Sequence, residues 1–142
     1  LKKQERLRLM ETFELHVVTP DGEIFSGEIK RITLRTAEGD VGIMKGHINY
    51  LAAVDIGVVR ICMPDDTEKR ASCGGGFITV ENGNVKLVAT TFEFAENIDL
   101  SRAEAAKKRA EAIIESNADK KAIALAKLKL ARASNRISAK GE

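Results

Sequence analysis

The sequence has no tryptophan, and aromatic residues fill only 4% of its 142 positions. Its core must therefore be aliphatic, and the pattern of basic residues interleaved with aromatics that marks many nucleic-acid binders is missing. The two histidines, His16 and His47, stand 31 positions apart, and no cysteine pair falls at ligand spacing, so a structural zinc site is not expected. No nucleophile–base pair and no paired acidic cluster occurs at a useful spacing, and catalysis is not expected either. No apolar run approaches the roughly 20 residues needed to cross a bilayer. No secretory signal pattern is present in residues 1–11, which are charged throughout. What is there, 44% hydrophobic and 31% charged residues, is the composition of a soluble globular chain with one medium domain or two small ones.

The two cysteines, Cys62 and Cys73, flank the turn signal Pro64-Asp65-Asp66 almost symmetrically. They are read as buried free thiols and as cross-strand neighbours. The net charge of +2 hides an asymmetry. Residues 12–98 carry 8 basic and 13 acidic side chains, a balance of −5, whereas residues 99–142 carry 11 basic and 6 acidic, a balance of +5. The two parts face different partners or face each other.

The chain divides by periodicity. Residues 1–11 read as a leader or an added extension, with Met10 a candidate natural start and a short helical arm the alternative. From Phe13 the pattern has period two: Phe13, Leu15 and Val17 alternate with Glu14, His16 and Val18, and Thr19-Pro20-Asp21-Gly22 makes a turn. Further short strands are predicted at 23–27, 29–36, 41–44, 51–54, 58–63 and 68–73. A hairpin joins 77–80 to 85–91 around Glu81-Asn82-Gly83-Asn84. This cadence predicts an antiparallel β-sandwich or flattened barrel over 12–95. Gly74-Gly75-Gly76 lacks the Lys-Ser/Thr of a phosphate loop and leads into a strand. It reads as a bulge or a close backbone approach.

After Phe94 the period becomes helical. Ala103, Ala106, Ala110, Ile113 and Ile114 mark one helix, with Ser101 and Glu104 as a capping box and Ser116-Asn117 as its stop. Asp119 is a plausible cap for a second helix, whose seam is Ile123, Ala126, Leu130, Ala133 and Ile137. The pair forms an antiparallel hairpin over 96–138, followed by a tail at 139–142, and the fold class is α+β. Alanine seams bury little apolar area, so the hairpin is weakly held. Folding it near residue 117 sets Arg102 opposite Arg132 and Asp99 near Arg136, with Arg109 two turns from Arg102. These arginines form an anion site above Glu93 and Asp99, or else are solvated helix arginines pointing apart. Like charges at this range repel by something on the order of 1 kcal/mol per pair near a surface. An empty site therefore favours opening.

These residues resemble the epsilon subunits of F-type ATP synthases over 13–137. The markers are Val18-Thr19-Pro20-Asp21-Gly22, Glu38-Gly39-Asp40-Val41-Gly42-Ile43 before Gly46-His47, Gly75-Gly76-Phe77, and Ile98-Asp99 followed by Arg102-Ala103. The resemblance implies a sandwich of about ten strands and a C-terminal helix hairpin. It implies a non-catalytic rotor subunit of the central stalk at the cytoplasmic face of the cell membrane, touching that membrane only through the complex. The sandwich would bind the gamma subunit and rest on the c-ring, with Asp40, Lys45 and His47 as contact candidates. The sequence departs from the family at Lys45 and Asn49, where proline is usual or common. The hairpin would inhibit ATP hydrolysis when extended into the alpha/beta head. It would bind ATP, a regulatory ligand rather than a required cofactor, when folded, through Glu93, Asp99, Arg102, Ala103, Arg109, Arg132 and Arg136. Phe92 and Phe94 flank Glu93 where small or polar residues are commoner, and are expected against the helices or near the adenine. The alternative reading is a stand-alone ATP-sensing module.

Overall fold

The computed structural model describes residues 3, 11–116 and 119–141. Eight strands come first: β1 (Phe13–Thr19), β2 (Gly22–Ile29), β3 (Arg31–Thr36), β4 (Gly39–Met44), β5 (Tyr50–Cys62), β6 (Glu68–Glu81), β7 (Asn84–Ala89) and β8 (Phe92–Phe94). A 3-10 turn, Ala95–Asn97, leads to helices α1 (Leu100–Glu115) and α2 (Lys120–Gly141). The predicted leader at 1–11, Met10 included, lies outside the described residues apart from Lys3 and Glu11.

Alternation builds the core. In β1 every second side chain (Phe13, Leu15, Val17) is buried, and so are Ile32 and Leu34 of β3 and Val85 and Leu87 of β7. Burying each such side chain contributes about 1.5–3 kcal/mol. The strands run in the order β2-β1-β7-β6-β5-β3-β4, with β8 also paired to β6. The predicted antiparallel sandwich needs one amendment: β1 and β7 pair in parallel, with Leu15 beside Val85 and Val17 beside Leu87. The resemblance also implied about ten strands, and the described residues form eight because β5 and β6 run unbroken for 13 and 14 residues. Each spans what periodicity divides into two strands, since Asp55, Ile56 and Gly57 stay extended in the ladder rather than turning.

The glycine run lies where β6 changes neighbours. Ala71, Ser72 and Cys73 pair with β8, whereas Gly76 to Glu81 pair with β7. Between them the Gly74 N–H donates to the Thr91 carbonyl and the Thr90 N–H to the Gly75 carbonyl, both at 2.8 Å. Gly76 has φ +150°, and a Cβ there would overlap the Val88 carbonyl oxygen. The run is a close backbone approach, as its lead into a strand predicts. The cysteines are not cross-strand neighbours. Cys62 lies opposite Glu68 and is half-buried, whereas Cys73 lies opposite Gly57 and is fully buried, and both are free. The ladder is centred on Asp65, and Cys62 stands three residues before that centre whereas Cys73 stands eight after it, so the two cannot pair. Burial pushes the Cys73 thiol up from its usual range.

At the edge of the sheet, β2 slips by one residue against β1, pairing Val17 with Phe25 but Val18 with Glu23. The slip brings Glu23 beside His16, whose Nδ1 lies 2.9 Å from Glu23 Oε1 and whose Nε2 lies 3.1 Å from Glu14 Oε1. Its hydrogen bond to Glu23 raises the pKa of His16, and the same bond lowers that of Glu23.

Two outcomes follow. Gly76→Ala is expected to lower folding stability by roughly 2–4 kcal/mol in denaturant titrations, because a backbone atom blocks the new methyl. Gly42→Ala, whose nearest obstacle is 3.9 Å away, should stay within about 1 kcal/mol of the parent. The His16 clasp contributes fully below the ordinary histidine pKa of 6.5 and fades as pH rises through its raised value. The Glu23 contribution is lost as pH falls below the ordinary 4.5. The difference in thermal midpoint between the parent and His16→Gln is therefore expected to be larger near about pH 5.5 than near about pH 8.

Candidate functional site: the base of the helix hairpin

Helix α1 starts two residues earlier than its capping-box signal implies. Its N-cap is Asp99, whose carboxylate accepts the Arg102 backbone N–H at 3.2 Å. A carboxylate at the positive end of the helix outcompetes the Ser101–Glu104 box, which instead lies inside the first turn. Asp119 caps α2 as expected, accepting the Ala122 N–H at 2.8 Å. Ser116 closes α1 with its hydroxyl donating to the Ile113 carbonyl at 2.7 Å. Asn117, the other half of the predicted stop, lies outside the described residues.

The seam is alanine. Ala103 and Ala110 of α1 and Ala126 and Ala133 of α2 are buried, so an antiparallel register sets Ala103 against Ala133 and Ala110 against Ala126. The larger seam residues cover less than predicted: Ile113 is exposed, and Ile123, Leu130 and Ile137 are only partly buried. At its far end α2 continues to Gly141, through the residues read as a tail, because Ala139 is fully buried and holds the last turn.

Helix α2 docks on the sandwich. It contacts β5, β6 and the 3-10 turn. Its C-terminal half is the docked half, since every residue from 132 to 137 is at least partly buried. The contact is polar: Asn135 Nδ2 donates to the Gly57 carbonyl at 2.8 Å and to Ser72 Oγ at 3.0 Å, and lies 3.4 Å from the Cys73 carbonyl. Beside it Arg136 Nε lies 3.5 Å from Glu93 Oε2. This half-exposed ion pair is worth less than about 1 kcal/mol. One turn earlier, Arg132 Nε is buried with no hydrogen-bond partner. An unmet donor of that kind costs about 1–3 kcal/mol, and an anion would supply the missing acceptor.

The predicted site residues are therefore unequally assembled. Glu93 and Arg136 touch, Arg132 is one turn from Arg136, Ala103 is buried in α1, and Asp99 and Arg102 open that helix. Asp99, Arg102 and Arg109 are all exposed, and Arg109 lies about 10 Å further toward the hairpin tip than Arg102 by helical rise. Of the flanking rings, Phe92 is buried in the core, and Phe94 packs edge-on to it at 5.2 Å and to Phe25 at 6.1 Å. Lys69 Nζ lies over Phe94 at 5.4 Å, beside a cleft of about 200 Å³.

The other candidate group is split. Asp40 sits by the β3–β4 turn, 4.0 Å from Arg35, whereas Lys45 and His47 follow the opposite end of β4. Those ends are about 17–20 Å apart for a strand of six residues. The loop 45–49 is tied down without its family prolines. His47 Nδ1 hydrogen-bonds the Ile48 carbonyl at 2.8 Å, its ring packs on Tyr50, and Asn49 Oδ1 accepts the Asn82 N–H at 2.9 Å. Sequence reading missed Asn135, Ser72 and Gly57. A small polar residue within the basic helix was the only available signal, and nothing in its spacing tied it to strands more than 60 positions away.

Two family models match the chain: the beta-sandwich domain of the ATP synthase delta/epsilon chain over residues 12–95, and its long alpha-helix domain over 96–141. The chain belongs to the ATP synthase delta/epsilon family. It is similar to the ATP synthase epsilon chain of Bacillus velezensis, 41% identical over 132 residues, covering 93% of this chain and 99% of that one. The epsilon chain of Syntrophomonas wolfei is 40% identical over 128 residues, covering 90% and 93%. A chain of the Euglena gracilis mitochondrial ATP synthase (OSCP/F1/c-ring) shares the fold with a TM-score of 0.79 at 22% identity, covering 90% of this chain and 81% of that one. A chain from the central stalk and c-ring of the Tetrahymena thermophila mitochondrial enzyme does so with a TM-score of 0.58 at 17% identity, covering 89% and 95%.

Proposed function

We propose that this chain is a non-catalytic rotor subunit of an ATP synthase central stalk, at the cytoplasmic face of the membrane. Its sandwich joins the gamma subunit to the c-ring. Its hairpin restrains ATP hydrolysis when extended into the alpha/beta head and binds ATP when folded. The observation that carries the assembly role is an exposed apolar row on the sandwich. Phe77, 56% exposed, is flanked on successive strands by Ala53 and by the exposed Val88, which in turn pairs with Val18, and Leu51 stands nearby at 71% exposure. A contiguous apolar patch on an otherwise charged chain is a docking surface, and the gamma subunit is the partner this reading assigns to it. Met44 and Ile48, also exposed, bracket the loop carrying Lys45 and His47 and support a second contact there, with the c-ring. For ATP, the support is the buried unpartnered donor of Arg132, one turn from Arg136, since guanidinium forks donate well to phosphate oxygens.

Co-expression with the gamma subunit is expected to yield a stable complex that Phe77→Glu disrupts without lowering the thermal midpoint of the isolated chain. No complex with the parent chain would sink the assembly role. ATP without hydrolysis is expected to raise that midpoint, by the equivalent of about 2.7 kcal/mol at a hundredfold excess over Kd. Arg102→Ala or Arg132→Ala should abolish the shift, and an unchanged shift in both variants would refute the site.

A further inference from the structure

We propose that Asn135 is the positioning residue of the folded hairpin: its side-chain amide sets the rotation and register of α2 on the sandwich, and is the contact surrendered when the hairpin leaves. The argument starts from the strands. Ser72 of β6 and Glu93 of β8 are direct cross-strand partners, and Val58 of β5 lies on the other side of Ser72 in the same row. Such neighbours stand about 5 Å apart on one face of a sheet. Two consecutive helix residues engage this row, Asn135 on Ser72 and Arg136 on Glu93. The second contact is a half-exposed ion pair between flexible side chains and tolerates many rotations of the helix. The first does not. An amide has two N–H groups at fixed angles, and here they meet the Gly57 carbonyl, the Ser72 hydroxyl and, more distantly, the Cys73 carbonyl.

Surrounding residues leave the task to Asn135. Ala133 and Ala139 are the buried residues of this half of α2, and alanine surfaces slide past each other with little change in buried area. Ser72 is itself a buried polar residue, and its hydroxyl oxygen accepts from Asn135. A polar contact also suits a reversible joint. When it opens, water replaces every acceptor, whereas an apolar ridge would leave an exposed greasy face on both parts. Asn135 thus acts through Arg136 and through Arg132, one turn away, whose placement depends on the rotation of the helix. That last consequence rests on the anion reading given above and the surrender of the contact on the hairpin extension proposed there, whereas the positioning of the docked helix rests on neither.

The test is amide hydrogen exchange on the full chain, first without nucleotide. Asn135→Ala and Ser72→Ala are each expected to speed exchange in residues 128–141 roughly tenfold while β1 and β7 keep the parent rates. The double variant should add little to either single one, because both remove the same contact. Asn135→Asp keeps the size but turns a carboxylate on two carbonyl oxygens, so it should open the hairpin more than Asn135→Ala does. Parent-like protection in Asn135→Ala, or in Asn135→Asp, overturns the proposal, as does equal loosening of β1 and β7. Adding ATP separates the two readings. If the variants respond as described and ATP changes nothing in the parent, the latch stands and the nucleotide site falls.

Discussion

The structure depends on one constraint, the passage of β6 from β8 to β7 at Gly74-Gly75-Gly76. Only residues without a Cβ allow the Gly76 backbone to lie against Val88 and the Gly74 backbone against Thr91. Because the crossing is made without a break, β5 and β6 each run the length of the sandwich, and the core closes around Leu15, Ile32, Leu34, Ile61, Ile78 and Leu87. The same crossing lays β8 beside Ser72, so that Glu93 and Ser72 stand side by side in one cross-strand row under α2. The docking platform for α2 is a by-product of how the sheet closes.

Sandwich and hairpin are held by different physics. The sandwich buries large aliphatic side chains that have nowhere else to go. The hairpin buries alanines at its seam and joins the sandwich through a polar amide and a half-exposed ion pair. The first kind of cohesion is strong and unspecific in direction, and the second is weak and directional. A part held in the second way can leave without disturbing one held in the first. The opposite charge balances of the two parts, −5 and +5, favour their meeting through contacts such as Arg136 with Glu93. They leave the basic face of the hairpin available to any other acidic surface once it is released.

The helix hairpin that carries the candidate arginines was legible in sequence. Its periodicity predicts Arg102 and Arg132 on facing turns, and Ala103 and Ala133 beside them are buried. The quality of the site was not legible. The buried Nε of Arg132, the exposed position of Arg109 and the packing of Phe94 on Phe25 depend on how far the helix sinks onto the sheet. No periodicity encodes that depth. The distance between Asp40 and His47 was hidden for a related reason: seven positions in sequence cross a whole strand and a loop, and short separation does not mean proximity when the intervening residues are extended.

The sequence by itself determined what depends on neighbours along the chain: the change from period two to period 3.6 after Phe94, the Asn82-Gly83 turn in which both residues take positive φ, and the cap at Asp119. Each is set by local sterics and by which face must be apolar. Tertiary structure alone decided that β5 and β6 remain whole, that β1 and β7 run parallel, that Cys62 and Cys73 stay apart, and that Asn135 finds Gly57 and Ser72. These pairings join residues that no local rule relates. They arise because a closed sandwich fixes which backbone groups are left facing outward, and a helix settles where its one suitable amide can reach them.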